Sequence, residues 1–324
     1  MVERRLTAAV ALAFTAALTP AHAQTTAFPS KPIRLIIPYP PGGGSDTIAR
    51  PVVQRLGENL KQTVIVDNRG GAGGNIGMEI AAKSPADGHT IVFALTAQLA
   101  VNPALYSKVP YDPIKDFEPI TLLGTGPYVL VVHPSLPVKN VKDLIALARA
   151  RPGQLTYASS GNGSGGHLAN ELLNSMTKVK MLHIPYKGGG PALTDVLAGN
   201  VQVLFSTWIA GKPHIDSGRV RALGVSTAKR LSGADIPTIA ESGVPGFDAG
   251  VWYAFLAPAG TPKDIVGKLN AEILKAAGHP DVKQVFARAT VEPIGSTPDE
   301  LAKFMKSEIV KWVKVVKDAN VRVD

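Results

Sequence analysis

Four times along this chain a short apolar run meets a glycine-rich turn, and the turn opens a stretch of helical periodicity. The runs at 33–39, 64–67, 155–159 and 181–185 lead respectively into four such turns. These are Pro41-Gly42-Gly43-Gly44-Ser45-Asp46, Gly70-Gly71-Ala72-Gly73-Gly74-Asn75, Gly161-Asn162-Gly163-Ser164-Gly165-Gly166 and Lys187-Gly188-Gly189-Gly190-Pro191. Residues 33–37 and 89–95 are almost continuously apolar and 63–67 is β-branched, the pattern of strands buried on both faces. Between them, Ile48, Val52, Val53, Leu56 and Leu60 form one helical stripe over 46–60, and 75–83 reads as a second helix. Pro51 falls inside the first stripe and is expected to remove one backbone bond and bend the first turn. Gly124-Thr125-Gly126-Pro127 reads as a break, after which the alternation restarts. Strands are expected at 128–133, 155–159, 180–185, 201–206 and 219–226. Helices are expected over 141–150 (capped by Asn140), 167–176 and 192–198. Alternation of this kind predicts an α/β fold of two lobes built on parallel sheets.

Beyond 252–257 the chain changes character. Thr261-Pro262 and Thr297-Pro298-Asp299-Glu300 are helix starts, the second a capping box with proline at the first helical position. A helical tail has to pack on a lobe already made, here expected to be the first. Residues 24–125 and 251–324 would then make one lobe and 126–250 the other. The two crossings, at 124–127 and 226–250, would form a hinge.

Composition narrows the setting. Arg4-Arg5, an apolar run over 6–18 and Ala21-His22-Ala23 have the form of a secretory signal peptide over residues 1–23. No later stretch approaches the roughly 18 apolar residues of a spanning helix. The chain has no cysteine, which removes thiolate nucleophiles, iron–sulfur clusters and thiolate zinc sites. A signal-bearing, disulfide-free α/β chain is expected in the periplasm. The formal net charge is +9, one less without the signal. Its Lys and Arg are scattered, and aromatics are only 6% with no basic interleaving. Nucleic acid is therefore not the expected partner, and a diffuse positive field suits small anions.

Each glycine turn leaves unpaired N–H groups at the positive end of a helix, a seat for an anion. Tight strand–helix packing could explain any one of them. Ser45, Asn75, Ser159, Ser160, Ser164 and Tyr186 set short polar groups beside the exposed amides, and such loops emerge at the carboxyl ends of parallel strands, where ligands bind. A shared ligand crevice is the stronger reading. Asp46 is the exception, since as an N-cap it would satisfy its own helix.

Other chemistries fit poorly. Gly161, Gly163 and Gly166 match G-x-G-x-x-G, but the following strand ends His183-Ile184-Pro185-Tyr186-Lys187 without the acidic residue a dinucleotide site needs. A nucleotide triphosphate loop is absent. The hydrolase elbow G-x-S-x-G is absent too. An exported serine esterase using Ser164 and His167 is the enzyme alternative. With no carboxylate to orient the imidazole, Ser164 as a cap and His167 on the cleft wall is preferred. His89, His133, His167, His183, His214 and His279 are isolated, so no metal and no cofactor are expected.

At these residues the chain resembles a known family. Pro38-Tyr39-Pro40-Pro41-Gly42-Gly43-Gly44-Ser45-Asp46, Asp67-Asn68-Arg69-Gly70-Gly71-Ala72-Gly73-Gly74-Asn75-Ile76-Gly77, Ser84-Pro85-Ala86-Asp87-Gly88-His89-Thr90 and Asn102-Pro103-Ala104-Leu105 are similar to the first lobe of the substrate-binding proteins of tripartite tricarboxylate transporters, the Bug receptors. The likeness continues through 161–167, His183-Ile184-Pro185-Tyr186-Lys187-Gly188, 237–247, Trp252 and Ala257-Pro258-Ala259-Gly260-Thr261-Pro262.

The resemblance implies a two-lobe, type II-like periplasmic binding protein fold with parallel-core sheets, a hinge and a cleft. It implies a monomeric receptor, not an enzyme, that closes on a small di-, tri- or aromatic carboxylate and delivers it to membrane subunits. A sensor kinase reading the loaded receptor is the alternative outlet. Carried over, the ligand contacts would be Tyr39, Gly43, Ser45, Gly73, Asn75 and Thr96 from one lobe. From the other they would be Ser160, Asn162, Gly163, Ser164, His167 and Tyr186. One departure is informative: many relatives have a cleft-facing Asp after the strand 201–205, whereas this chain reads Ser206-Thr207-Trp208. An Asp could pair with a ligand ammonium; Ser206 is neutral, and Trp208 offers an apolar face if it points inward. The resemblance with this departure implies a ligand without an amine.

Overall fold

The apolar runs form strands where the pattern places them, and each is followed by the helix its glycine turn opens. The computed structural model describes residues 28–231 and 234–318, so the expected signal peptide lies outside the described residues. In chain order the first half runs β1 (Ile33–Ile37), α1 (Gly44–Leu60), β2 (Val64–Asn68), α2 (Asn75–Ala82), β3 (Thr90–Leu95), α3 (Asn102–Leu105) and β4 (Phe117–Val132). It continues through α4 (Val141–Ala150), β5 (Thr156–Ser159), α5 (Gly165–Thr177), β6 (Leu182–Pro185), α6 (Gly189–Leu197), β7 (Val203–Thr207), α7 (Trp208–Asp216) and β8 (Arg221–Val225). The last part comprises β9 (Gly250–Pro258), α8 (Lys263–Ala277), α9 (Pro280–Ala289), β10 (Glu292–Pro293) and α10 (Pro298–Asp318).

Strand order is β2-β1-β3-β9-β4-β7-β5-β6. The flanking trios β2-β1-β3 and β7-β5-β6 are parallel, as the alternation requires. The middle of the sheet is antiparallel, because β9 runs against both β3 and β4, and β4 against β7 and β8. Strand β8 therefore does not extend the parallel series but lines the other edge of β4.

The chain does not break at Gly124-Thr125-Gly126-Pro127. Those residues lie inside a single 16-residue strand. Its first part pairs with β9 as far as Pro127, and residues from Tyr128 onward pair with β7 and, from Val129, with β8. Gly124 is needed there for clearance, since β10 crosses it: a Cβ at Gly124 would lie 2.5 Å from the carbonyl oxygen of Glu292. The tail is thus helical with one short strand added.

That tail packs on the first half. Arg55 of α1 pairs with Asp281 of α9, and Asn59 donates to the Glu272 carbonyl of α8 at 3.2 Å. Glu308 of α10 accepts from the indole N–H groups of Trp252 and Trp312 at 2.9 and 3.0 Å, tying α10 to β9. The main core gathers Ile33, Leu35–Ile37, Ile91–Ala94 and Tyr253–Ala257, all essentially without solvent contact. A second cluster around Leu193, Val196, Leu204, Trp208 and Val220 lies on one face of β7. Leu204 joins it while the neighbouring Val203 and Phe205 face the main core, the two-residue alternation of a strand.

The caps expected at Asn140 and Thr297 form. The Asn140 side chain accepts from Asp143 N–H at 2.9 Å. Thr297 Oγ1 accepts from Glu300 N–H at 3.3 Å while Glu300 accepts from Thr297 N–H at 2.8 Å. Thr297→Ala is expected to lower stability by about 1 kcal/mol, read as a lower urea midpoint with unchanged slope. An unchanged midpoint would contradict it.

Candidate ligand-binding site

Three helices point their N-termini into one cavity. The turn before α1 contributes Gly42, Gly43, Gly44 and Ser45, the start of α5 contributes Gly165 and Gly166, and the turn before α6 contributes Gly188, Gly189 and Gly190. These loops leave the carboxyl ends of β1, β5 and β6, the side on which α/β sheets bind ligands. The cavity holds about 380 Å³, and Tyr39, Ser160, Ser206 and Thr207 complete its polar side. None of the residues lining it is Asp, Glu, Lys or Arg. An anion there meets backbone amides at helix ends, and no side-chain charge.

The first and second halves of the chain meet closely across this space. A Cβ at Gly44 would lie 2.6 Å from Thr207 Oγ1, and one at Gly188 would lie 3.2 Å from the ring of Pro40. Gly73 is tighter still, with a would-be Cβ 2.2 Å from the Asn162 carbonyl oxygen. That carbonyl accepts from the Tyr106 hydroxyl at 2.7 Å. Turn faces turn: the loop before α1 opposes the loop before α6, and the loop before α2 opposes the loop before α5.

The turns before α1, α2 and α5 are braced from behind. Fully buried Gln98, in a single wide π-helical turn at Ala97–Val101, donates to Tyr39 Oη at 2.8 Å and to the Gly73 carbonyl at 2.7 Å. Asn102 Nδ2 donates to Asn75 Oδ1 at 2.6 Å and to the same Gly73 carbonyl at 3.2 Å. Burial pushes the Tyr39 hydroxyl up to about 12, so it stays protonated. Behind the third turn, Ser159 Oγ meets both Gly161 and His183 Nε2, and His167 Nδ1 accepts from Gly163 N–H at 3.1 Å. The His167 and His183 rings stack at 4.0 Å. Burial lowers His167 to about 3, with His183 contributing, and lowers His183 to about 4. Both rings are neutral at pH 7.

Five of the expected contacts line the main cavity: Tyr39, Gly43, Ser45, Ser160 and Ser206. Gly73, Asn162 and Tyr186 line an adjoining space that shares Tyr39 and Ser160 and also contains Lys187. The Tyr186 hydroxyl itself is turned to Asp195. The other six stand outside both spaces. Asn75 is held by Asn102 and Tyr111, and Thr96 Oγ1 accepts from Trp252 N–H at 2.9 Å. Gly163 lies against Asn102 and Tyr106. Ser164 caps α5 by accepting from His167 N–H, and the His167 ring braces Gly163 instead of forming the cleft wall. Trp208 does not point inward. Strand β7 runs on through Thr207, which lines the cavity, and Trp208, the first residue of α7, joins the second core cluster under Lys212.

Asp46 turns back on its own helix as expected, although Gly43 occupies the cap position. Burial would raise its carboxyl, but hydrogen bonds from Arg50, Gly42 N–H and Asn68 hold it below the usual range. Ser164 and His167 cannot act as nucleophile and base, because the imidazole accepts at Nδ1 from a backbone amide and no carboxylate orients it. Among the described residues no three His, Asp or Glu side chains come together as metal ligands would.

The geometry of an amide-lined anion seat agrees with the sequence comparison. Residues 48–321 match the sequence profile of the tripartite tricarboxylate transporter family receptor, TctC. The chain belongs to that receptor family. Its members are solute receptors, not enzymes. The receptor is 38% identical to protein BugT of Bordetella pertussis over 321 residues, 98% of each chain. It superposes on R. palustris Rpa4515 with adipate at a TM-score of 0.88 and 38% identity, over 91% of this chain and 99% of that one. For MatC from Rhodopseudomonas palustris with bound malate the TM-score is 0.86 at 31% identity, over 89% and 100%.

Sequence reasoning missed Gln98, Tyr106 and Thr207. None of them carries a local signal. Gln98 and Tyr106 act on partners 25 to 59 residues away, and Thr207 acts through its approach to Gly44.

Proposed function

We propose that this receptor captures a small carboxylate in the periplasm and delivers it, as a monomer, to the membrane subunits of a tripartite tricarboxylate transporter. The convergence of three helix N-termini on one cavity without charged side chains carries the reading, because such a seat favours an anion held by amides. Structural relatives with adipate and malate support the ligand class. The form of residues 1–23 supports export, and these would be removed in the mature chain.

In this reading, residues 24–125 with 251–324 form one lobe and 126–250 the other, hinged where β4 changes partners and in the 226–250 segment. Closure buries the ligand between facing turns. Ser206 in place of an acid selects ligands without an amine, since no carboxylate lines the cavity to meet an ammonium.

Thermal-shift titration of the mature chain tests this. Amine-free carboxylates such as adipate, malate or benzoate are expected to stabilise it, by about 2.7 kcal/mol at a hundredfold excess over Kd, whereas the matching amides do not. Stabilisation by aspartate or glutamate, with none by amine-free acids, would refute the selectivity. Silence toward every carboxylate would refute the receptor's ligand class.

A further inference from the structure

Away from the glycine turns the cavity changes character. Its far part is a channel between two helices of the second half. Leu193 and Leu197, one turn apart on α6, form one wall, and Ala210 and His214, one turn apart on α7, form the other. Leu204 of β7 is the floor. Thr194 adds a hydroxyl there, but that hydroxyl already donates to the Gly190 carbonyl at 3.1 Å.

We infer that the ligand is a carboxylate with an apolar body, an aromatic or medium-chain acid, seated by its carboxylate at the glycine turns with its body lying between α6 and α7 over Leu204. This rests on the carboxylate reading above and narrows it. Three observations carry it. The walls and floor of the channel are mainly aliphatic, so they reward burial of carbon and offer a polar body few partners, the Thr194 hydroxyl being already bonded and His214 adding one imidazole. No Lys or Arg lines the channel, so a second carboxylate pushed into it would be stripped of water without a counter-charge. His214 does not supply one, since burial and the nearby Arg219 lower its pKa and keep it neutral. Finally, 380 Å³ is room for about a dozen water-sized groups at roughly 30 Å³ each. That takes a carboxylate plus a ring or a six- to eight-carbon chain.

A short dicarboxylate has a different route. It would turn from the same seat into the adjoining space toward Lys187, leaving the α6–α7 channel unused. The two routes make opposite forecasts.

Calorimetric titration of the wild-type mature chain separates them. Along the straight-chain acids from butyrate to octanoate, each added methylene is expected to tighten binding about two- to fourfold. Phenylacetate should bind at least tenfold tighter than succinate, malate or citrate. Ala210→Phe fills the channel and is expected to weaken phenylacetate and octanoate at least tenfold while changing acetate less than twofold. Lys187→Gln should leave phenylacetate unchanged. Tighter binding of succinate, malate or citrate that Lys187→Gln weakens, with no gain along the acid series, would overturn the inference and leave the carboxylate reading standing. No binding of any acid would overturn both. If Ala210→Phe does not fold, the wild-type series decides alone.

Discussion

Gly73→Ala is expected to abolish tight ligand binding while leaving a folded protein. Gly73 sits at φ 65, where a side chain costs about 1 kcal/mol. That cost is present whether the two halves are apart or together. The second cost exists only when they meet, because the new Cβ would lie 2.2 Å from the carbonyl oxygen of Asn162 in the other half. Backbone on both sides leaves little room to yield: Gly73 is held by Gln98 and Asn102, and Asn162 by Tyr106. Affinity for the best carboxylate should fall at least about 100-fold, roughly 2.7 kcal/mol, with the unliganded protein only about 1 kcal/mol less stable. Gly153 supplies the control. It has φ 73 and nothing within 4 Å of a would-be Cβ, so Gly153→Ala should show the same strain without the loss of affinity. Calorimetry with small-angle scattering reads both effects. A Gly73→Ala protein that contracts on ligand addition and binds like wild type would show that these turns do not meet in the bound form.

Acidification is expected to destabilise the protein well above the pH at which its carboxylates titrate. Unfolded imidazoles take up a proton near pH 6.5, but folded His167 does so only near 3 and His183 near 4. Stability present above pH 6.5 is therefore lost progressively as pH falls toward 4, by about 1.4 kcal/mol per unit for a fully buried ring. His183 is partly exposed, and its share is discounted for solvent screening. The neighbours are mostly neutral: Tyr157 stacks on both rings and Ser159 bonds His183. Glu171, bonded to Tyr157 and Asn174, has a carboxyl raised by burial, and its protonation offsets part of the loss at the acid end. Unfolding free energy at pH 5 should be about 3 kcal/mol below that at pH 7.5. His167→Asn keeps an acceptor for Gly163 N–H and removes the proton site, so at least 1 kcal/mol of that difference should disappear. A slope identical to wild type would mean that the imidazole is not buried in its neutral form.

Features that depend on a few neighbouring residues were legible before any fold was known. Asn140 and Thr297 cap their helices because the partners are three residues along the same chain. The glycine turns open helices because the amide geometry is local. Gly124 was misread as a break, since its reason for being glycine is the passage of Glu292, more than 160 residues later. Trp208 was read as a cleft residue because the point where strand gives way to helix is not legible locally: β7 runs through Thr207, which lines the cavity, and Trp208 opens α7 and packs in the second cluster. Asn75 and His167 were recognised as part of the site's chemistry but not as its framework, whereas the Ser164 cap was legible because its partner is three residues along. Whether a polar group faces a ligand or braces a turn depends on partners folded behind it, such as Asn102 and Tyr111.

The sequence by itself determined that apolar strands end in glycine turns whose free amides can seat an anion, because hydrophobic period and helix-end chemistry are properties of short segments. Only the tertiary structure decided that the turn before α1 faces the turn before α6, and that the seat opens into an aliphatic channel over Leu204. Those facts follow from β4 pairing with β9 along one part and with β7 and β8 along the other, an arrangement set by contacts between residues distant in the chain.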